Sequence, residues 1–227
     1  MLNIAVILGS TRRGRFGEKP ARWIFDELKK RSGVKAEFLD LRDYELPFFD
    51  EPVSPGWISE PYRNEAVARW TKKIGAQDGF IIVAPEYNRS VAGVMKNAFD
   101  WVYKEWNHKA IGFVGYGAVG GGRAIEHMRA IAIELQMAPI RQAVHLPVDL
   151  YMSMMKDEAP VDAARFQPVQ QAAGTMIDQL LWWSRALKGA RENETTQAKA
   201  AKASRADGPP DPVTSSLRRA YGPQRVS

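Results

Sequence analysis

Short apolar runs alternate with longer segments in which apolar positions recur at helical spacing, and the alternation persists over the first 190 residues. Asn3 to Leu8 reads as a buried strand, and Lys19 to Arg31 as a helix whose Ala21, Ile24, Phe25 and Leu28 share one face. Val34 to Leu41 is a second strand. A connection broken by Pro47, Pro52, Pro55 and Pro61 follows, too interrupted for regular structure and long enough to be functional. The pattern then predicts a helix over Tyr62 to Ile74, a strand over Phe80 to Ala84 ended by Pro85, and a helix from Ala92 to Trp106. A fourth strand covers Lys109 to Gly115, a helix Arg123 to Gln136, a fifth strand Ile140 to Leu146, and a last helix Ala163 to Leu187. Five strands alternating with five helices specify a parallel α/β sheet covered on both faces. In the last helix, Trp182 and Trp183 join Met176, Ile177, Leu180 and Leu181 as a core-facing stripe, with an oligomer contact as the second reading.

The pattern fails after Gly189. Ala, Lys, Ser, Thr, Gln, Asp, Gly and Pro dominate, and Gly208-Pro209-Pro210-Asp211-Pro212 blocks helix and strand. Residues 1–190 are therefore expected to form one folded domain, and 191–227 a disordered tail.

Composition narrows the chemistry. Among 227 residues, 45% hydrophobic and 26% charged, there is no cysteine, which removes disulfides, thiol catalysis and thiolate metal sites and fits a reducing cytosol. Redox chemistry must then belong to a bound cofactor. The apolar start, Leu2 to Leu8, is too short to span a membrane and has no basic region before it, so neither export nor a membrane partner is expected. Half of the formal charge of +6 lies in the segment from Arg191 to Ser227, and the body shows no basic stripe interleaved with aromatics, which argues against nucleic acid.

Three loops at strand-to-helix turns are positioned for chemistry, because in open α/β sheets ligands bind at the carboxyl ends of strands. The first, Gly9-Ser10-Thr11-Arg12-Arg13-Gly14-Arg15-Phe16-Gly17, combines hydroxyls, glycines, arginines and the N-terminus of a helix, which suits a phosphate. It lacks the Gly-Lys-Ser/Thr of a nucleoside-triphosphate loop. The second, Pro85-Glu86-Tyr87-Asn88-Arg89, places polar groups before a helix. The third, Gly115 to Gly122, contains a literal G-x-G-x-x-G, with Asp149 as the acidic residue a dinucleotide site would want. That reading leaves the first loop without a role, so the glycines are read as letting backbone approach a flat ring. His108, His127 and His145 share no metal-ligand spacing, and Gly-x-Ser-x-Gly is missing.

On these residues the chain resembles the NADPH-dependent FMN reductase family of flavodoxin-like proteins, which includes quinone, azo-dye and chromate reductases. The resemblance rests on Gly9-Ser10-Thr11-Arg12 with Gly14-Arg15, and on Pro85-Glu86-Tyr87-Asn88 with Ser90, Gly93, Lys96-Asn97-Ala98 and Asp100-Trp101. The glycine-rich loop adds to it, and it covers roughly residues 1–187. It implies a flavodoxin-like three-layer sandwich with strand order 2-1-3-4-5. It also implies that Ser10, Arg12, Arg15 and Phe16 surround the FMN phosphate and ribityl chain. Pro85, Glu86, Tyr87 and Asn88 would edge the isoalloxazine, with Tyr116, Gly117 and Gly121 on its other border. The helix from Lys96 to Trp101 would lie near a subunit interface, giving a homodimer or homotetramer.

The implied activity is transfer of a hydride from NADPH or NADH through flavin N5 to a quinone or similar small acceptor, the two substrates using one site in turn. No protein acid, base or metal is obligatory, in keeping with the lack of paired carboxylates or an activated nucleophile, and no catalytic residue is assigned. The rivals are a flavodoxin-type electron carrier, which would typically be acidic, and a flavin-loaded interaction protein whose tail recruits a partner. The Pro-rich stretch Leu46 to Pro61 and the 37-residue tail depart from the family pattern.

Overall fold

The computed structural model describes residues 1–58, 61–157 and 162–206. Strand β1 (Leu2–Leu8) pairs in parallel with β2 (Val34–Asp40) on one side and β3 (Gly79–Tyr87) on the other, and β3 pairs in parallel with β5 (Ala110–Tyr116). The fifth position is shared by two short strands, β6 (Ala138–Pro139) and β7 (Val144–Leu146), both parallel to β5. A two-residue strand, β4 (Ser90–Val91), folds back antiparallel on β3. The expected order across the sheet is therefore present.

Side chains alternate across each strand with period two, and this sorts them into two cores. Ile4, Val6, Leu8, Ile81, Val83 and Val114 pack on α1 (Glu18–Lys29) and the first turns of α6 (Gln170–Ala206), and Trp23 of α1 stacks at 4.4 Å on Phe166 in the 3-10 helix that precedes α6. Ala5, Ile7, Phe80, Ile82, Ile111 and Phe113 pack on α2 (Glu65–Gly75), α3 (Gly93–Asp100) and α4 (Gly122–Glu134). All twelve strand residues are buried, and each large aliphatic or aromatic one contributes about 1.5–3 kcal/mol.

Several elements differ from the sequence reading, each for a local reason. Pro85 does not end β3. The pairing with β1 stops at Leu8 with Val83, so Pro85, opposite Tyr116, sits where a missing N–H is tolerated. The helix expected to reach Trp106 ends at Asp100, where Trp101 turns its indole N–H onto the Pro47 carbonyl at 2.7 Å. Asn97 reinforces this join, donating to Pro47 at 2.8 Å and accepting from the Phe49 amide at 3.0 Å.

The fifth strand is split because side chains take its backbone groups. Arg129 donates to the carbonyls of Ile140 and Arg141, and Gln179 accepts from the Gln142 amide. A short helix, α5 (Val148–Ser153), follows β7 unforeseen. Trp182 and Trp183 are 61% and 39% exposed, so they lie outside the buried stripe of Met176, Ile177, Leu180 and Leu181. The last helix also continues to Ala206, through residues expected to be irregular, since Ala, Glu, Gln, Lys and Arg favour a helix without an apolar face. Residues 207–227, where the rest of the expected disordered tail falls, lie outside the described residues. The chain divides into one unit over Met1–Lys188 and a second beyond it. No described helix is long and apolar enough to cross a membrane.

Candidate functional site

The three loops singled out in the sequence leave the carboxyl ends of β1, β3 and β5, which the parallel ladder makes neighbours. The first loop is shaped from behind by arginines. Arg15 is buried and donates to the Ser10 carbonyl at 2.5 Å and to the Asp40 carboxylate at 2.7 Å, with a second short bond to the same carboxylate. Arg42 donates to the carbonyls of Thr11, at 3.3 Å, and Arg12. Asp40 also accepts the Arg42 amide at 3.0 Å, capping the 3-10 turn Leu41–Asp43 that presents this side chain. Burial would raise the Asp40 carboxyl, but the Arg15 guanidinium and the Arg42 amide hold it below the ordinary carboxylate range.

Within the loop, Ser10 is buried with its hydroxyl 3.2 Å from that of Tyr87, while Arg12 and Arg13 are exposed. Phe16 is packed inward, edge-on to Tyr116 at 5.1 Å and to Tyr151 at 4.7 Å. Helix α1 begins after Gly17, which gives no side-chain cap; the Lys19 amide goes to the Phe16 carbonyl at 3.0 Å and Pro20 has none, so the helix adds mainly the positive end of its dipole beside the loop.

The second loop is a hairpin. Asn88 and Arg89 both have left-handed backbone, with φ of 49° and 69°, forming the tight two-residue turn that joins β3 to β4. Glu86 does not face solvent. Its carboxylate accepts the Arg123 side chain at 2.5 Å and the Arg123 amide at 3.0 Å, tying the hairpin to the start of α4. Burial would raise its pKa, but these bonds from Arg123 lower it. Ser90 and His127 add a 2.8 Å bond between the same elements.

The third loop approaches both neighbours closely. Gly117, Gly120 and Gly121 have positive φ, and a Cβ on Gly121 would lie 2.6 Å from the Gly115 Cα and the Tyr116 amide nitrogen. Tyr116, expected on the ring's border, is buried with its hydroxyl against Gly17. Burial raises its pKa.

Of the expected residues, Arg12, Arg15, Phe16, Tyr87 and Tyr116 converge on one small hollow, completed by Tyr151 and Met155, with Ser10 bonded to Tyr87 at its edge. Pro85, Glu86, Asn88, Gly117 and Gly121 do not line it; they form the hairpin and glycine turn beside it. A larger cleft of about 510 Å³ is lined by Thr11, Leu41, Arg42, Leu46, Phe48 and Val94 among others. Sequence reading missed Asp40, Arg42, Arg123 and Tyr151. Asp40 and Arg42 had one available signal, their place at the carboxyl end of a strand adjacent to β1. No group of three or more His, Asp or Glu side chains suited to a metal ion occurs among the described residues.

Comparison with known proteins identifies the family. A family model for NADPH-dependent FMN reductases matches residues 2–149. An NAD(P)H-dependent FMN reductase of Nectria sp is 36% identical over 148 residues, covering 62% of this chain and 74% of the relative. A 2-hydroxy-1,4-benzoquinone reductase of Burkholderia sp is 30% identical over 169 residues, covering 71% and 83%. The crystallised flavoenzyme NAD(P)H:(acceptor) oxidoreductase FerB from Paracoccus denitrificans superposes with a TM-score of 0.57 at 20% identity, over 79% of this chain and 97% of that one, and shares the fold. With its matched segment spanning all three loops, the chain belongs to the NADPH-dependent FMN reductase family, an oxidoreductase with FMN as cofactor and NAD(P)H as electron donor.

Proposed function

We propose that this protein reduces a quinone or a similar small acceptor with electrons from NAD(P)H, donor and acceptor occupying the same site in turn. The quinone class is supported by the Burkholderia relative. The observation that carries the reading is the convergence of three differently built loops at one edge of the sheet, next to exposed cations and the partly buried pair of hydroxyls of Ser10 and Tyr87. FMN needs sites for a phosphate dianion, a hydroxylated chain and a flat ring. Exposed Arg12, the amides of the first loop and the uncapped start of α1 suit the phosphate. The Ser10 and Tyr87 hydroxyls suit the ribityl chain, with Arg15 and Phe16 shaping the loop from inside. Pro85 to Asn88 and the Gly117 to Gly121 turn, packed on each other where Gly117 meets Glu86, suit the ring edges.

Bound there, FMN supplies the centre that holds two electrons between donor and acceptor. The chain's own part is to hold the ring, keep one face open and exclude side reactions. Double-reciprocal plots for NADPH and a benzoquinone are expected to be parallel. Intersecting lines, or a preparation that takes up no flavin colour after incubation with FMN, would overturn the reading.

Two further parts of the proposal concern assembly. Phe48, 85% exposed, and Val94, 39% exposed, put apolar surface beside α3, which supports a homodimer or homotetramer through that face. Sedimentation equilibrium on the wild type and Val94→Glu tests it. Residues 1–190 are proposed to carry the whole reductase, because Met1–Lys188 is a unit in itself. A chain ending at Gly189 should keep flavin content and turnover.

A further inference from the structure

We infer that Asp40 is the positioning residue that turns the first loop into an anion site, although it lies outside that loop and outside every motif of the sequence. The inference rests on the reading that this loop receives the FMN phosphate. The carbonyls of three successive residues, Ser10, Thr11 and Arg12, each accept a guanidinium hydrogen bond. Within a planar trans peptide the N–H points opposite to the C=O. The amides of Thr11, Arg12 and Arg13 therefore face away from the two arginines, that of Arg12 toward the Ser10 hydroxyl at 3.5 Å, and an anion received on this side would meet amides and a hydroxyl together.

Both arginines depend on Asp40. Its Oδ1 accepts Arg15 Nη1 and the Arg42 amide, and its Oδ2 accepts Arg15 Nη2. The Arg15 side chain is 3% exposed and that of Asp40 19%, so the pair is largely out of water. Asp40 is itself held in place by the β1–β2 ladder, opposite Leu8, the last residue before the loop begins. One strand end thus sets the backbone of the next strand's loop, through one buried arginine and one exposed one. The same pair keeps Arg15 neutralised behind the loop, leaving Arg12 and Arg13 as its exposed cations.

The test compares FMN with riboflavin, which lacks the phosphate, by flavin-fluorescence titration of the full-length protein. In Asp40→Asn the shape stays and the charge goes. The FMN Kd is expected to rise about 30-fold, from loss of charge-assisted bonds, while riboflavin shifts by less than about threefold. Arg42→Ala, at an exposed position, keeps the question answerable where Asp40→Asn fails to fold. It should raise the FMN Kd about fivefold and leave riboflavin and the melting temperature unchanged. Equal losses for both flavins, or no loss for either, would show a merely structural Asp40 and overturn the inference. Tighter FMN binding in Asp40→Asn would also overturn it, because Asp40 would then compete with the phosphate for Arg15. Wild-type protein that binds riboflavin as tightly as FMN would instead overturn the underlying phosphate assignment, and this inference with it.

Discussion

The first loop and the glycine-rich loop both bring backbone close to a ligand at the same sheet edge, and they achieve it by opposite means. Side chains hold the first: its own Arg15 and Arg42 from beyond β2 take its carbonyls, and Asp40 takes the Arg15 guanidinium and the Arg42 amide. Its one left-handed glycine, Gly14, has nothing within 4 Å of where a Cβ would stand. The third loop is held by the lack of side chains, with Gly121 pressed onto Gly115 and Tyr116, and Gly117 onto Glu86. Substitution should therefore change binding in the first loop and folding in the third.

Gly121→Ala gives the largest expected effect. The added Cβ meets backbone at 2.6 Å and the residue has a φ of 74°, so the loss of stability should exceed about 3 kcal/mol. Gly14→Ala is its partner, with strain but no collision, and should cost about 1 kcal/mol. Urea unfolding of the two variants checks the difference; equal losses would remove the distinction between the loops.

Next in size is Glu86→Gln, which leaves the Arg123 side chain and amide without their carboxylate and should cost about 2 kcal/mol. The same residue predicts a pH dependence. Its pKa is lowered in the folded protein, so its stabilisation is complete above the ordinary value of 4.5 and is lost as pH falls through the folded value. Acid unfolding of Glu86→Gln should be shallower than that of the wild type below pH 4.5, and parallel curves would mean that the tie to α4 has no energetic role.

Arg12→Ala should move stability least. The side chain is exposed, so the melting temperature should stay within about 1 °C of wild type while the FMN Kd rises about tenfold. A drop in melting temperature with unchanged FMN affinity would place Arg12 in the fold rather than the site.

The legibility of these parts in the sequence follows their range. Periodicity along Asn3–Leu8 and Gly79–Val83 identified buried parallel strands, since each strand lies between two helical layers and carries apolar residues on both faces. The glycines at 117, 120 and 121 were legible as unusual backbone because few other residues tolerate it, and the structure shows them packed on Glu86, His145 and Gly115. Pro85 misled, because its cost depends on whether the adjacent edge is paired, and that is decided by where β1 stops. Trp182 and Trp183 misled as well: helical spacing assigns a face to a residue, but not how far the neighbouring layer extends to cover it.

Local chemistry in the chain thus determined the α/β architecture, the three loops and the family resemblance, because strand burial, helix faces and glycine tolerance are properties of nearby residues. Only the tertiary structure decided which arginine is spent inside and which remains outside. Arg12 and Arg15 look alike in sequence, three residues apart in one basic loop. The ladder between β1 and β2 carries Asp40 to Arg15 and leaves Arg12 in water, and a charge buried against an opposite charge does different work from one left free.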